Sequence, residues 1–358
     1  EYPDLSELHL AYFTYKTIYS KDINAEYSIL NQQGNPEKAA GGLSAQNAPV
    51  KEDDMPYSQA SNSDSEIEAF AAGKTFTRAP VILSETRHLG QIGSESISLV
   101  KKAIIENGAV YFHYFHDGSG YNEANNSLYY TGLKGRHAAL LVGWDDDFPA
   151  ENFSPRPSRN GAWLVKNSWG TMRGNEGGYF WMSYDQHTYG GTAFIVERAN
   201  SRMRHYGYDD LGFCKNFRYS WGANIFRTQT RRETLKEAAF YAPGNSLGYE
   251  LYVYDVGYTI PDSPVAGNLV STTKGNVKFA GYHTITLPES ISLKEGQYFS
   301  VVLKFSGGYM PVETKLPKYS ENAEVNERES WFSQDGKNWT DGFTMKCNAC
   351  IKAYTLTR

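Results

Sequence analysis

The stretches RHAALLVGWDDDF (136–148) and WLVKNSWGTMRGNEGGYFWMSY (163–184) decide the fold of this chain. Each contains an apolar run that predicts a buried strand. His137 stands at the start of the first run, and Asn167 stands at the end of the run in the second stretch. A histidine can hold and return a proton, and an amide oxygen can orient it by accepting a hydrogen bond from the imidazole. The pair is therefore a candidate for acid–base chemistry.

The neighbouring segments predict a mixed helix-and-strand architecture. Residues 95–107 have apolar side chains at helical spacing and precede a glycine, which indicates a helix and its end. Residues 109–115 alternate and predict a strand, and residues 178–184 predict another. Residues 145–161 are acidic and then rich in Pro, Ser and Asn, so we expect a surface loop between the two strands that carry His137 and Asn167.

The first 65 residues give weaker signals. Within residues 5–18, the sequence predicts the start of a helix, with Ser6 as its N-cap, and then an aromatic-rich stretch. Residues 31–65 are rich in Gly, Asn, Pro, Ser and Asp, and we expect a long surface loop there.

The character of the chain changes near residue 206. Short alternating runs such as 250–255, 283–287 and 298–305 are separated by Gly, Asn, Pro and Asp, which is typical of an all-β sandwich. Residues 333–336, SQDG, predict a hairpin turn between two tryptophan-bearing runs. We therefore predict two domains, residues 1–205 and residues 206–358.

The region around the candidate pair resembles the papain family of cysteine peptidases. His137 opens HAALLVGW, Asn167 and Trp169 lie in KNSWG, and Gly-Tyr-Phe follows shortly after, as in that family. The interval between the two motifs is longer than in the simplest members, and loop 145–161 accounts for the excess at small entropic cost. The resemblance implies that His137 is the catalytic acid and base, that Asn167 orients its ring, and that Trp169 covers their hydrogen bond. A lone histidine is otherwise most often a structural residue.

Three upstream segments resemble the same family, namely LSELHLAYF (5–13), PVKEDDMPYS (49–58) and SLVKKAIIENGAVYFHYFHD (98–117). The resemblance therefore covers residues 1–200 and implies an α+β papain-like fold without its cysteine-bearing segment. In the family, the catalytic cysteine lies on the N-terminal side of the Leu-Ser-Glu segment. Too few residues separate Ser6 from Glu1 to contain that cysteine and its helix. We expect the nucleophile to lie upstream of Glu1, on a separate chain or segment, and the chain as written to be inactive alone.

The chain has three cysteines, and all of them follow His137. None stands at an obvious helix start, where a thiol would be activated. Cys347 and Cys350 form a single C-x-x-C, which is a weak zinc signal without further ligands. We expect either buried free thiols or a local disulfide.

Other polar residues have less specific interpretations. His113 and His116 flank two aromatic residues, and packing is favoured over a metal or catalytic role. Asp145, Asp146 and Asp147 could supply oxygen ligands to calcium, but a solvated acidic turn is the simpler interpretation. No other cofactor is expected.

Residues 206–358 resemble the lectin-like β-sandwich that follows the peptidase in some bacterial cell-surface papain-like enzymes. GYHTITL (281–287) and ESWFSQDGKNW (329–339) carry this less specific likeness. Trp331 and Trp339 could stack on sugar rings or could be cross-strand core partners, and the sequence leaves both open.

Composition excludes two classes of function. The 358 residues carry a formal net charge of −5, which argues against a nucleic-acid-binding protein. No apolar run approaches the ~20 residues needed to span a membrane.

Two functional hypotheses remain. The first is a secreted or cell-surface cysteine endopeptidase that acts on protein or peptide substrates. The second is an inactive papain-like scaffold that binds carbohydrate or a cell-wall polymer. The presence of His137, Asn167 and Trp169 together favours the enzyme, because a scaffold has no chemical need for all three.

Overall fold

The computed structural model describes residues 3–16, 34–45, 49–61, 63–72, 80–171, 177–317 and 319–357. The α-helices are α1 (Glu7–Lys16), α2 (Pro36–Ser44), α3 (Asp64–Ala72), α4 (Ile97–Asn107) and α5 (Gly342–Met345). The first strands are β1 (Val81–Gly90), β2 (Val110–Phe115), β3 (Tyr121–Asn122), β4 (Ser127–Leu128), β5 (Arg136–Asp145), β6 (Ala162–Lys166), β7 (Tyr179–Ser183) and β8 (Thr188–Arg198). The later strands are β9 (Met203–Tyr206), β10 (Lys215–Phe217), β11 (Trp221–Arg227), β12 (Arg232–Ala242), β13 (Leu247–Gly257), β14 (Asn268–Val277), β15 (Gly281–Lys294), β16 (Tyr298–Phe305), β17 (Met310–Thr314), β18 (Ser330–Ser333), β19 (Thr340–Asp341), β20 (Cys347–Ala349) and β21 (Ile351–Thr357).

The chain divides into two compact units. One consists of Thr86–Ile195, and the other combines Glu1–Glu85 with Val196–Arg358. The N-terminal helices therefore belong to the same unit as the C-terminal strands. The boundary that the sequence places at residue 206 stays a prediction.

The unit Thr86–Ile195 is built on strands in the order β3-β4-β7-β6-β5-β2-β8. Helix α4 contacts β2 and β5, and it buries Val100, Ala103 and Ile104 at the spacing seen in the sequence. The helix ends at Gly108, whose φ of 86° is a conformation that glycine adopts without strain. The helix predicted over 95–107 is confirmed, as are the strands that contain HAALLVGW and AWLVK.

The other unit contains a β-sandwich. One sheet has the order β14-β13-β16-β11-β18-β19, and β15, β12, β21 and β9 lie side by side in the other. Leu235 and Phe240 of β12 share a buried cluster with Leu251 of β13, Phe299 of β16 and Ile351 of β21. Because this cluster draws on both sheets, it is the core between them. The predicted sandwich is confirmed.

The hairpin predicted around residues 333–336 is also confirmed. Strands β18 and β19 are antiparallel, with Phe332 opposite Thr340. Gly336 in the turn between them has a φ of 72°.

The prediction for residues 5–18 is confirmed in its main part by α1, and the Ser6 hydroxyl accepts a hydrogen bond from the backbone N–H of His9 at 2.9 Å. The continuation of this stretch, residues 17–18, lies outside the described residues. No described α-helix is long and apolar enough to cross a membrane.

The prediction of one long loop over residues 31–65 is wrong, because α2 lies within it. The Asn35 side chain caps the backbone N–H of Lys38, and Pro36 occupies the first turn. Asparagine and proline occur both in turns and at the start of helices. The composition of the segment favoured the turn interpretation, whereas the structure has a helix start. Residues 31–33 and 46–48 lie outside the described residues.

Candidate active site

The pairing of β5 with β6 brings His137 to Asn167. The strands are antiparallel, and Leu140 lies opposite Lys166. The start of β5 therefore lies beside the end of β6. The His137 Nε2 and Asn167 Oδ1 atoms are 2.8 Å apart, which is hydrogen-bonding distance.

The backbone around Asn167 fixes its side chain. Its backbone N–H donates to the carbonyl of Gly178 at 3.0 Å, and its Oδ1 also accepts from the backbone N–H of Ser168 at 2.8 Å. Gly178 has a φ of 95°, and a Cβ at this position would lie 2.7 Å from the carbonyl oxygen of Gly170. A glycine is thus required at position 178, in the turn that holds Asn167.

The hydrogen bond determines the tautomer of His137. An amide oxygen can only accept, and Asn167 Oδ1 already accepts from a backbone N–H, so the His137 Nε2 must carry the proton. The Nδ1 atom then has a lone pair in the neutral ring, and it has no hydrogen-bond partner among the described residues. The ring is held at one nitrogen and free to take a proton at the other.

Aromatic rings enclose the pair. The Trp169 and His137 ring centroids are 4.7 Å apart, and the Trp169 side chain is 42% exposed. The buried Tyr114 approaches His137 edge-on at 5.5 Å and lies opposite it in the β2–β5 ladder. Trp169 and Tyr114 therefore both lie within ring-packing distance of the imidazole.

His116 is a member of this site that the sequence did not assign to it. Its ring centroid lies 6.2 Å from that of His137 and 5.8 Å from that of Trp169. Burial and then the proximity of His137 hold the pKa of His116 below its ordinary value. Its buried Nδ1 has no hydrogen-bond partner within the described part of the chain. His116 lies near His137 because the register of β2 and β5 places Phe115 opposite Arg136. Knowledge of that register would have predicted that the two histidines are close.

A cavity of about 390 Å³ adjoins the pair. Asn167 and Trp169 line one part of it, and Tyr114, His116 and Tyr121 line another. Its volume lies within the range of small-molecule and side-chain pockets.

The other residues that the sequence offered as metal or catalytic candidates make structural contacts. The His113 Nε2 bonds to the Tyr111 hydroxyl at 2.5 Å, and the His113 ring packs on Tyr189, which agrees with a packing role. Asp146 forms an ion pair with Lys101 and accepts a hydrogen bond from the Tyr184 hydroxyl. The described residues contain no group of three or more His, Cys, Asp or Glu side chains suited to a metal ion.

The three cysteines are free thiols, so the C-x-x-C forms no disulfide. Burial raises the pKa of the Cys347 thiol to about 12 and that of Cys350 well above its ordinary value. Burial also raises the pKa of Cys214, which lies against the Ser320 hydroxyl at 3.2 Å. A thiol with a raised pKa is a poor nucleophile at neutral pH.

Trp331 and Trp339, the two tryptophans considered for sugar stacking, differ in burial. Trp331 is only 7% exposed and packs with Ala223, Ile225 and Val302, so stacking on a sugar is excluded for it. Trp339 is partly buried and packs against the same cluster.

Comparison with known proteins places these two regions in families. Residues 31–199 match the papain family cysteine protease, and residues 205–355 match a lectin-like domain. The chain therefore combines a region of the papain cysteine protease family with a lectin-like domain. No curated protein sequence matches it.

Two solved structures have the same pair of domains. One is the clostridial cysteine protease Cwp84 after propeptide cleavage, which is 25% identical, has a TM-score of 0.81, and is aligned over 100% of this chain and 89% of its own. The other contains the cysteine protease and lectin-like domains of Cwp84, a surface layer associated protein of Clostridium difficile. It is also 25% identical, with a TM-score of 0.79 over 100% of this chain and 80% of its own. Both likenesses agree with the papain-like fold and the lectin-like sandwich.

Proposed function

We propose that this chain supplies the acid–base machinery of a cysteine endopeptidase, with His137 as acid and base, Asn167 as its orienting residue and Trp169 as the cover of their hydrogen bond. The observation that carries the proposal is the 2.8 Å bond between His137 Nε2 and Asn167 Oδ1, which leaves Nδ1 free. A nucleophile activated by a base that a third group orients is the usual arrangement for covalent hydrolysis of amides.

The proposed reaction has two half-reactions. His137 Nδ1 takes the proton of a cysteine thiol, and the thiolate adds to the carbonyl carbon of the scissile peptide bond. As the C–N bond breaks, the imidazolium returns that proton to the leaving amine and a thioester remains. His137 Nδ1 then takes a proton from water, the resulting hydroxide adds to the thioester carbon, and the thiolate leaves and is reprotonated. Asn167 holds the ring in one orientation through both steps.

The nucleophile is proposed to be a cysteine outside these 358 residues, on a segment upstream of Glu1. The argument rests on the three cysteines of the chain, which are free, largely buried and raised in pKa. None is suited to thiolate chemistry. The 358 residues alone are then expected to be inactive.

Protein substrates and a location outside the cell or at its surface follow as parts of the same proposal. They are supported by the likeness to Cwp84, which is described as a surface layer associated protein. The inactive carbohydrate-binding scaffold is less well supported, because the oriented ring with a free Nδ1 has no use in a scaffold.

The proposal is tested by labelling with an epoxide that traps papain-like cysteines. The protein isolated from its source, with all its associated chains, should be labelled at one cysteine in step with loss of peptidase activity. Mass spectrometry should place the label outside residues 1–358. Labelling of Cys214, Cys347 or Cys350 in step with inactivation would contradict the proposal, as would a labelled protein that cleaves no protein substrate.

A further inference from the structure

A second cavity, of about 570 Å³, lies on the unit that contains the lectin-like sandwich. Its lining consists of Arg204, Thr230, Arg231, Arg232 and Thr357. Three guanidinium groups around one concave space are unusual in a chain whose formal net charge is −5. The volume falls within the range of small-molecule sites.

The three arginines have no partner that neutralises them. Among the described residues, Arg204, Arg231 and Arg232 form no ion pair and no side-chain hydrogen bond. The Nε atom of Arg204 is moreover buried without a hydrogen-bond partner. A buried donor that lacks a partner costs free energy, and a ligand with acceptor oxygens would remove that cost.

The carboxylate nearest to these arginines along the chain is occupied elsewhere. Glu233 is 2% exposed and accepts hydrogen bonds from the Tyr206 hydroxyl at 2.7 Å and the Thr355 hydroxyl at 2.6 Å. It also accepts from the backbone N–H of Thr230 at 2.9 Å and of Gln229 at 3.1 Å. Burial raises its pKa, but the hydrogen bonds from Thr355, Tyr206 and Thr230 outweigh that effect and hold the pKa below its ordinary value.

These bonds give Glu233 a structural role in the cavity. They tie the turn that carries Thr230 and Arg231 to strands β9 and β21. In the same sheet, Arg204 lies opposite Thr355, and Thr357 lies opposite Glu233. Side chains from three neighbouring strands and one fixed turn therefore surround the cavity, which makes it a formed site rather than a set of independent surface side chains.

We propose that this cavity binds a phosphate group. A guanidinium binds phosphate oxygens through two parallel N–H donors, so three of them can satisfy the several acceptor oxygens of one phosphate. A phosphate group carries close to two negative charges at neutral pH and matches three cations better than one carboxylate does. The group is supplied either by free phosphate or by a phosphate ester on a sugar. This proposal is independent of the peptidase reaction.

The test is calorimetric titration of the purified 358-residue chain with inorganic phosphate, glucose 6-phosphate and glucose. We expect saturable binding of at least one phosphate compound, weakened by added salt, and no binding of glucose. Tighter binding of glucose 6-phosphate would identify a sugar ester as the source, and equal or tighter binding of inorganic phosphate would identify the free ion. Absence of binding by both would overturn the proposal.

Variants identify the site. Arg231→Gln, at an exposed position, and Arg204→Gln should each weaken binding about tenfold or more, since a charged hydrogen bond is lost in each case. Arg218→Gln removes the same charge from an exposed position outside the cavity and should leave the affinity unchanged. An equal loss with Arg218→Gln, or full affinity in the Arg204→Gln, Arg231→Gln double variant, would show that binding does not occur here. Thermal unfolding of each variant controls for misfolding.

Discussion

His137 Nε2 donates a hydrogen bond to Asn167 Oδ1 at 2.8 Å, whereas His137 Nδ1 has no hydrogen-bond partner among the described residues. The asymmetry of this one ring separates the group that orients it from the atom that reacts. It can be tested from either side of the bond.

Replacement of His137 should lower peptidase activity more than replacement of Asn167. In the protein that carries its cysteine, His137→Ala removes the base and should reduce kcat/KM by about 10²–10⁴-fold. Asn167→Ala leaves the base but frees its ring, so the loss should be smaller. Asn125→Ala, at an exposed position, is the matched control and should keep full activity. Full activity of His137→Ala would show that the site is assigned wrongly.

His116 should report the charge of its neighbour. Burial and the proximity of His137 lower the pKa of His116, so the loss of His137 should move that pKa upward. NMR titration of the His116 ring proton in His137→Ala measures the shift. Asn167→Ala removes a neutral group instead and should leave the His116 pKa lowered. An unchanged His116 pKa in His137→Ala would mean that the two rings do not interact.

Glu313 should make stability depend on pH. It is 1% exposed, and burial followed by the charge of Asp209 raises its pKa to about 8. The unfolded chain loses this proton near the ordinary value of 4.5, whereas the folded chain keeps it until about pH 8. Its contribution to stability is therefore complete below pH 4.5 and is lost progressively as the pH rises to about 8.

The isosteric Glu313→Gln removes this titration. Urea unfolding should show that the free energy of unfolding of the variant increases relative to that of the parent between pH 5.5 and pH 8, by on the order of 1–3 kcal/mol. Glu289→Gln, at an exposed position, should show no such trend. A constant difference across that pH range would contradict a protonated Glu313.

Trp331 should matter to stability rather than to ligand binding. Because its side chain is buried among Ala223, Ile225 and Val302, Trp331→Ala should lower the free energy of unfolding by about 3–5 kcal/mol. Trp339 is partly exposed, and Trp339→Ala should cost clearly less. Chemical denaturation measures the free energy of unfolding of both variants. Equally small losses in the two variants would contradict the packing described for Trp331.

The proposed domain boundary can be tested by expression of residues 206–358 alone, which should melt cooperatively with a β-type circular dichroism spectrum. A longer piece, residues 199–358, restores β9 and the bond from the Thr357 backbone N–H to the Arg202 carbonyl at 2.9 Å. We expect it to be more stable by about 1–3 kcal/mol, since a few backbone hydrogen bonds are regained. A disordered product in both cases would contradict an independent sandwich domain.

The sequence was sufficient for the parts of the molecule that local pattern controls. The strand of His137, the strand of Asn167 and helix α4 follow from apolar periodicity, and the identity of the pair follows from motif resemblance. The position of His116 did not follow, because it depends on the register between β2 and β5, which no local pattern encodes. The burial of Trp331 likewise depends on which face of β18 meets the core.

Helix α2 shows a different limit of sequence reasoning. The same Asn-Pro pair starts a turn or a helix depending on whether the following residues can be buried. Here Lys38 is 2% exposed, and its ammonium group donates to the carbonyl of Tyr319. That contact is about 280 residues distant in sequence and could not be read locally.

Helix α2 also restricts how such a protein can evolve. It lies in the part of the chain that matches the peptidase family, yet its Ser44 carbonyl accepts a hydrogen bond from the Tyr354 hydroxyl at 3.0 Å. A Cβ added at its Gly41 would lie 3.1 Å from the Cα of Gly212. A recombination event between residues 199 and 205 that exchanged the lectin-like domain for an unrelated one would leave Lys38 buried without an acceptor. The two regions are therefore expected to be inherited together, and substitutions in α2 should be compensated in the strands and loops after residue 205.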